Sequence, residues 1–149
     1  MFYQFTRDSQ LYPYFVLALN TRMQIGEILG LTWDCVGFIG GIIHVEITLC
    51  YMPNQGTVIY EFHTPKSKAG IRNIPMSKSV KEVLQTQKDW HENVAIRFQP
   101  QQGFENLVFT SKTNYPIHES NIRNSIDYLI NRINAQNPKK SLNDLHFIV

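Results

Sequence analysis

From Thr64 to Pro75 the chain reads Thr-Pro-Lys-Ser-Lys-Ala-Gly-Ile-Arg-Asn-Ile-Pro, and the side chains best suited to chemistry are gathered there. Lys66 and Lys68 offer compact ammonium charges on flexible stems. Arg72 offers a planar fork of donors that matches the oxygens of a phosphate. The wider stretch 62–82 holds five basic residues before the acidic Glu82, and Lys139 with Lys140 forms a second, smaller cluster. Phosphate binding is the chemistry this pattern suits, with a solvated basic loop as the plain alternative. Other chemistries find no footing. His44, His63, His91 and His118 share no metal-ligand spacing with one another, with cysteine or with carboxylates, so no metal site is expected. No glycine-rich phosphate loop, Ser-His-Asp set or Cys-His pair is present.

Bulk properties bound the answer. The chain has 149 residues, room for one domain but hardly two. Its 43% hydrophobic and 17% charged content is that of a globular chain able to build a core. The net charge of +2 permits nucleic-acid binding without demanding it. Tyr14 to Leu19 and Val36 to Ile43 are apolar but far short of the roughly 18 residues of a membrane span. The first residues lack the order of a signal peptide. A cytoplasmic location follows as the expectation, with Cys35 and Cys50 as free thiols rather than a disulfide.

The elements that must position the basic segment can be read locally. Asp8 to Asn20 reads as a helix. Thr21-Arg22-Met23-Gln24 fits a capping box, with Thr21 as cap and the Gln24 amide reaching back to it, ahead of a short helix that ends near Gly30. Residues 42–49, 57–62 and 71–74 have β-type composition and short connections, which predicts an antiparallel meander with Lys66 in the second turn. Helical periodicity returns at Ser79, where Ser79 and Glu82 suit a second capping box. Leu107 to Thr110 is a brief buried segment. Ile122, Ile126, Leu129, Ile130 and Ile133 mark one face of a helix over 119–134. The fold class is α+β, with a small sheet against a helical body.

Four segments in this order resemble the catalytic domain of the tyrosine recombinases, the phage integrase family. Leu19 to Asp34 (LNTRMQIGEILGLTWD) is similar to the family's opening box, Thr-Gly-Met-Arg-Ile-Gly-Glu followed by Leu-x-Trp-x-Asp. Thr64 to Pro75 is similar to its Pro-Lys-Thr-Lys-x-Ser-x-Arg-x-Ile-Pro hairpin. Leu107 to Thr110 is similar to its Val-Phe segment, and Asn143-Asp144-Leu145-His146 stands at its His-x-Leu-Arg-His box.

The resemblance implies a mostly helical α+β fold with a small three-stranded antiparallel sheet. It also implies that 1–149 is a single partial catalytic domain, cut short at its C-terminal helices and without the family's N-terminal clamp. Such enzymes attack a DNA phosphate with a tyrosine, using two arginines, a hairpin lysine and histidines, and need no metal or nucleotide cofactor. Carried over by position, Lys66 is the hairpin lysine, with Lys68 its near alternative, and Gln24 stands at the first arginine. Asn143 stands at the histidine and His146 at the second arginine. Glu27 matches a carboxylate that orients active-site groups, a surface salt bridge being the other reading. Arg22, about 200° from Gln24 if both were helical, does not replace the missing cation. The implied partner is double-stranded DNA, contacted by Lys66, Lys68 and Arg72, with full-length recombinase protomers as a further partner. The implied function is DNA integration or recombination for a mobile element, without strand cleavage by the chain as written. The alternative is a non-catalytic module that binds DNA or a recombinase.

Overall fold

The computed structural model describes residues 10–65 and 67–136. Helix α1 (Tyr12–Thr21) begins with Pro13 in its first turn, where the missing N–H costs nothing. Pro13 to Ala18 are all buried, so this helix runs through the interior rather than along it. Arg22 ends it in the left-handed region at φ 57°, its N–H returning to the Ala18 carbonyl at 3.3 Å. Helix α2 (Ile25–Leu29) follows after three residues, and all five of its residues are buried.

Its seat is a strand. A Cβ on Gly30 would lie 2.7 Å from the Leu49 amide nitrogen, and one on Gly26 would overlap the Thr48 methyl group. Glycine at both positions lets α2 rest directly on the backbone at residues 48–49.

A 3₁₀ turn at Trp33–Cys35 leads into β1 (Val36–Gly37), which pairs antiparallel with β2 (Ile42–Val45). Next come β3 (Thr48–Asn54) and β4 (Thr57–His63), joined by Gln55 and Gly56 with φ of 46° and 85°. Two central residues at positive φ suit the twist of a tight hairpin. A second 3₁₀ turn at Lys68–Gly70 precedes β5 (Arg72–Pro75), which pairs antiparallel with β2 in the register Ile43↔Ile74 and Val45↔Arg72.

The sheet order is therefore β1-β2-β5, with β3-β4 a separate ladder. This corrects the expected meander. The strand expected over 42–49 breaks at Glu46 and Ile47, and its two halves take different partners. The last strand returns past the hairpin to β2. The break falls just before the residues on which α2 is pressed, and alternation within a strand carries no information about which partner it meets.

Helix α3 (Lys78–Asn93) is capped by Ser77, whose hydroxyl accepts from the Val80 N–H at 3.2 Å, two residues before the expected cap. Its inner side chains are Val80, Val83, Leu84 and Gln87. The buried Gln87 amide donates to the Val108 carbonyl at 2.9 Å, while the Val108 N–H donates to Leu31 at 2.9 Å. Leu107 to Thr110 is buried as expected. In α4 (Glu119–Gln136), Ile122, Ile126, Leu129, Ile130 and Ile133 all face inward. One core results, with Tyr14, Phe15, Ile28, Ile43, Leu84 and Ile126 among its fully enclosed members. Cys35 and Cys50 are free thiols, the first buried and the second half-buried. No described helix is long and apolar enough to cross a membrane.

Gly30→Ala should cost about 1–3 kcal/mol by overpacking against backbone. For a domain this size that lowers Tm by roughly 2–12 °C in a thermal melt. Gly40→Ala, with no neighbouring atom within 4 Å, should leave Tm within about 1 °C. Equal Tm values for the two variants would show that α2 does not rest on the β3 backbone.

Candidate functional site

The opening box and the basic hairpin meet through one ion pair. Glu27 sits in α2 with only 7% of its surface exposed, and Arg72 opens β5. Arg72 Nη1 donates to Glu27 Oε1 at 3.0 Å and Nη2 donates to Oε2 at 2.9 Å, an end-on fork across 45 residues of sequence. The Arg72 Nη1 group also donates to the Gly70 carbonyl at 3.0 Å. Three of five guanidinium donors are thus committed, leaving Nε–H and one Nη2 proton.

Glu27 is therefore neither a surface residue nor a loose one. Burial alone would raise its pKa. The Arg72 hydrogen bonds and charge, with the Gln24 N–H, outweigh it and hold the carboxyl below the usual glutamate range. Arg72 is correspondingly held more firmly protonated, first by its bond to Glu27.

Gln24 lies one step away. It is the N-cap of α2, exposed, and its backbone N–H donates to Glu27 Oε2 at 2.8 Å. The capping box is thus Gln24 with Glu27, which corrects the expected box of Thr21 with Gln24. Thr21 instead closes α1, its hydroxyl donating to Leu17 at 2.7 Å and accepting from Met23 at 3.3 Å. Both pairs have the same spacing of three. Only the reversal at Arg22 selects between them. That reversal also removes the helical geometry assumed in separating Arg22 from Gln24.

The hairpin tip is tightly shaped. Gly70 packs over the Pro65 ring, where a Cβ would overlap it, and its N–H returns to Ser67 at 3.1 Å. Lys68 begins the 3₁₀ turn and is exposed. Lys66, Asn143 and His146 lie outside the described residues. Of the candidate residues, the structure therefore joins Gln24 to Arg72 through Glu27, with Lys68 four residues before Arg72 in the same hairpin.

Sequence reasoning missed the Glu27–Arg72 pair. A signal existed: Arg72 and Ile74 are two apart in a strand, so they share a face, and Ile74 packs on the core. Ile71, 48% exposed, belongs to the other side. The histidines pair locally, His44 with Asn73 and Glu46, and His63 with Glu61. Among the described residues no group of three or more metal-ligating side chains forms.

Arg72→Ala should strand a buried carboxylate and cost about 3 kcal/mol at neutral pH. A lowered folded-state pKa contributes stability that is present above the unfolded value and is lost as pH falls through the folded one. The parent should therefore lose stability on acidification below the glutamate range, and Glu27→Gln should lose less. Urea midpoints of the three proteins at about pH 7 and pH 3.5 check this. Parallel pH profiles for parent and Glu27→Gln would remove Glu27 from the account.

Against known proteins, the model of the phage integrase family matches residues 3–147. The transposase from transposon Tn916 of Enterococcus faecalis is 27% identical over 136 residues, 89% of this chain and 31% of that protein. The transposase from Tn1545 of Streptococcus pneumoniae matches to the same extent. The Tn1549 transposon integrase, solved in complex with circular intermediate DNA, superposes with a TM-score of 0.80 at 24% identity. That superposition covers 99% of this chain and 48% of that one. XerA recombinase gives a TM-score of 0.60 at 16% identity over 86% of this chain. The chain spans about a third of the curated relatives and about half of the solved integrase. A family model that runs through both the opening box and the hairpin, the two segments locked by Glu27 and Arg72, settles the family: this chain belongs to the phage integrases.

Proposed function

We propose that residues 1–149 form part of a tyrosine recombinase catalytic domain that holds duplex DNA at a recombination site of a mobile element. The observation that carries this reading is the Glu27–Arg72 fork, which fixes the basic hairpin beside the capped end of α2. Exposed Lys68 then offers its ammonium group to the phosphate backbone, and Lys66 is assigned the same role from the sequence. Arg72 keeps two free N–H donors for a phosphate oxygen while anchored from behind. The curated relatives are transposases, and the solved integrase is bound to DNA, which supports double-stranded DNA as the partner; the cytoplasm is the proposed place.

The chemistry of strand exchange shows what this chain supplies and what it lacks. A tyrosine oxygen attacks phosphorus, a 3′-phosphotyrosyl bond forms, and the 5′ oxygen departs with a proton. No metal or nucleotide is required, because the new ester conserves the bond energy. By its position in the sequence, Lys66 is the residue assigned to give that proton. Gln24 can donate a hydrogen bond to a nonbridging oxygen but brings no charge where the family has arginine. Asn143 and His146 take the later histidine and arginine positions. Loss of one such donor typically costs roughly 10²–10³ in rate.

The nucleophile is the larger gap. No tyrosine follows Tyr128 within these residues, whereas the family's nucleophile follows the late box. Tyr14 does not substitute: it is fully enclosed, and burial pushes its hydroxyl well above the ordinary tyrosine range. Burial raises Tyr60 as well.

Two measurements test the reading. A nicked suicide duplex incubated with the 149-residue chain should yield no SDS-resistant adduct. An adduct abolished by a single Tyr→Phe change would show that a substitute nucleophile exists. Duplex binding should be sequence-nonspecific, and affinity should fall roughly 40- to 150-fold from about 50 to 200 mM salt for three or four phosphate contacts. Lys66→Ala with Lys68→Ala should make the slope of log affinity against log salt shallower by about two. Parental binding by the double variant would return the hairpin to a solvated loop.

A further inference from the structure

Arg22 holds a backbone conformation that crowds an ordinary side chain against the next carbonyl, at φ 57° and ψ 22°. Glycine is the usual occupant of such a helix end. The family's opening box, as matched above, has glycine at this place. Two other non-glycine residues among those described have positive φ, and each has a local reason. Gln55 is the first residue of the two-residue β3–β4 turn. Asn114 uses its amide to hold the Phe98 carbonyl at 3.0 Å. At Arg22 the backbone closes α1, its N–H returning to the Ala18 carbonyl, but the side chain takes no part: it is exposed, with no hydrogen bond or ion pair to any described residue.

Its position relative to Gln24 is the second observation. The chain from 22 to 24 is not helical, since Gln24 is extended at φ −71° and ψ 158°. Met23 is buried at 4% exposure, while Arg22 and Gln24 on either side of it face solvent. Two residues apart, their Cα atoms are at most about 7 Å from each other. An arginine side chain spans about that distance, so its guanidinium reaches the space in front of Gln24.

We propose that Arg22 binds a phosphate of duplex DNA and supplies, from two residues upstream, the cation that Gln24 lacks. The ligand is a phosphodiester, recognised by the guanidinium fork. A left-handed arginine whose side chain has no partner among the described residues is the outlier that this binding role accounts for. The inference rests on the duplex-binding reading above and names a further contact for that site.

The test compares the parent with Arg22→Gly and with the exchange Arg22→Gly plus Gln24→Arg, using a fluorescent duplex from about 50 to 200 mM salt and a thermal melt of each protein. Arg22→Gly should keep or raise Tm, because the left-handed residue is relieved. Its affinity should fall about three- to tenfold, with the salt slope shallower by about 0.9, one phosphate contact. The exchange should recover the parental slope, since the cation has only moved by two residues. Unchanged affinity and slope in Arg22→Gly, with the parent binding normally, overturns the inference and leaves the proposed function standing. A folded exchange variant that fails to recover the slope also overturns it. A parent that does not bind duplex overturns the DNA reading itself, and this contact with it.

Discussion

Two parallel hydrogen bonds between the Glu27 carboxylate and the Arg72 guanidinium connect parts of the chain that have little else to hold them in register. Neither partner stands well alone. A carboxylate this enclosed is costly unless paired, and the arginine that pairs it stands at the start of β5. Paired, they fix the base of the hairpin against α2. The same carboxylate takes the Gln24 N–H, so one group caps the helix and anchors the hairpin. The spatial relation of Gln24 to the hairpin follows from that shared acceptor.

The anchoring works only because α2 is itself immobile, and its immobility comes from absent side chains. Gly26 and Gly30 lie one helical turn apart and bring the helix onto the backbone at Thr48 and Leu49. A helix of five residues has almost no intrinsic stability, so its position is set by what it touches. All five residues are buried, and its last turn continues into Leu31, whose carbonyl holds Val108. The segment Leu107 to Thr110 thereby ties α2 to α3 through Gln87. Aromatic contacts secure the β3–β4 hairpin in turn: Tyr51 lies 4.0 Å from His118, and Phe62 lies 5.0 Å from Phe104, centroid to centroid.

Where charge is placed follows the same logic. Glu27 and Arg72 carry their charges inward as a matched pair. The lysine at 68 and the arginine at 22 carry theirs outward, with Arg22 making no ion pair among the described residues. A fold that neutralises the inward pair internally leaves the outward cations for an anion.

Much of this was open to the sequence, because it depends on neighbours a few residues apart. The five inward residues of α4 repeat at helical spacing, and all five are buried. The alternation in 57–62 makes a strand, Leu107 to Thr110 is enclosed, and the two family segments are recognisable from residue types alone. Other features were decided only in three dimensions. Thr21–Gln24 and Gln24–Glu27 have the same spacing, and the left-handed turn at Arg22 chose between them. The strand expected over 42–49 could pair along its whole length with one partner, but α2 pressing on Thr48 and Leu49 accompanies its division between β5 and β4. Local periodicity specifies which face of an element is apolar. It does not specify which distant element that face meets, because that choice depends on packing across dozens of intervening residues. Glu27 is the clearest case: its sequence neighbours mark it as a helix residue with a charge, and only Arg72, 45 positions away, explains why that charge is buried.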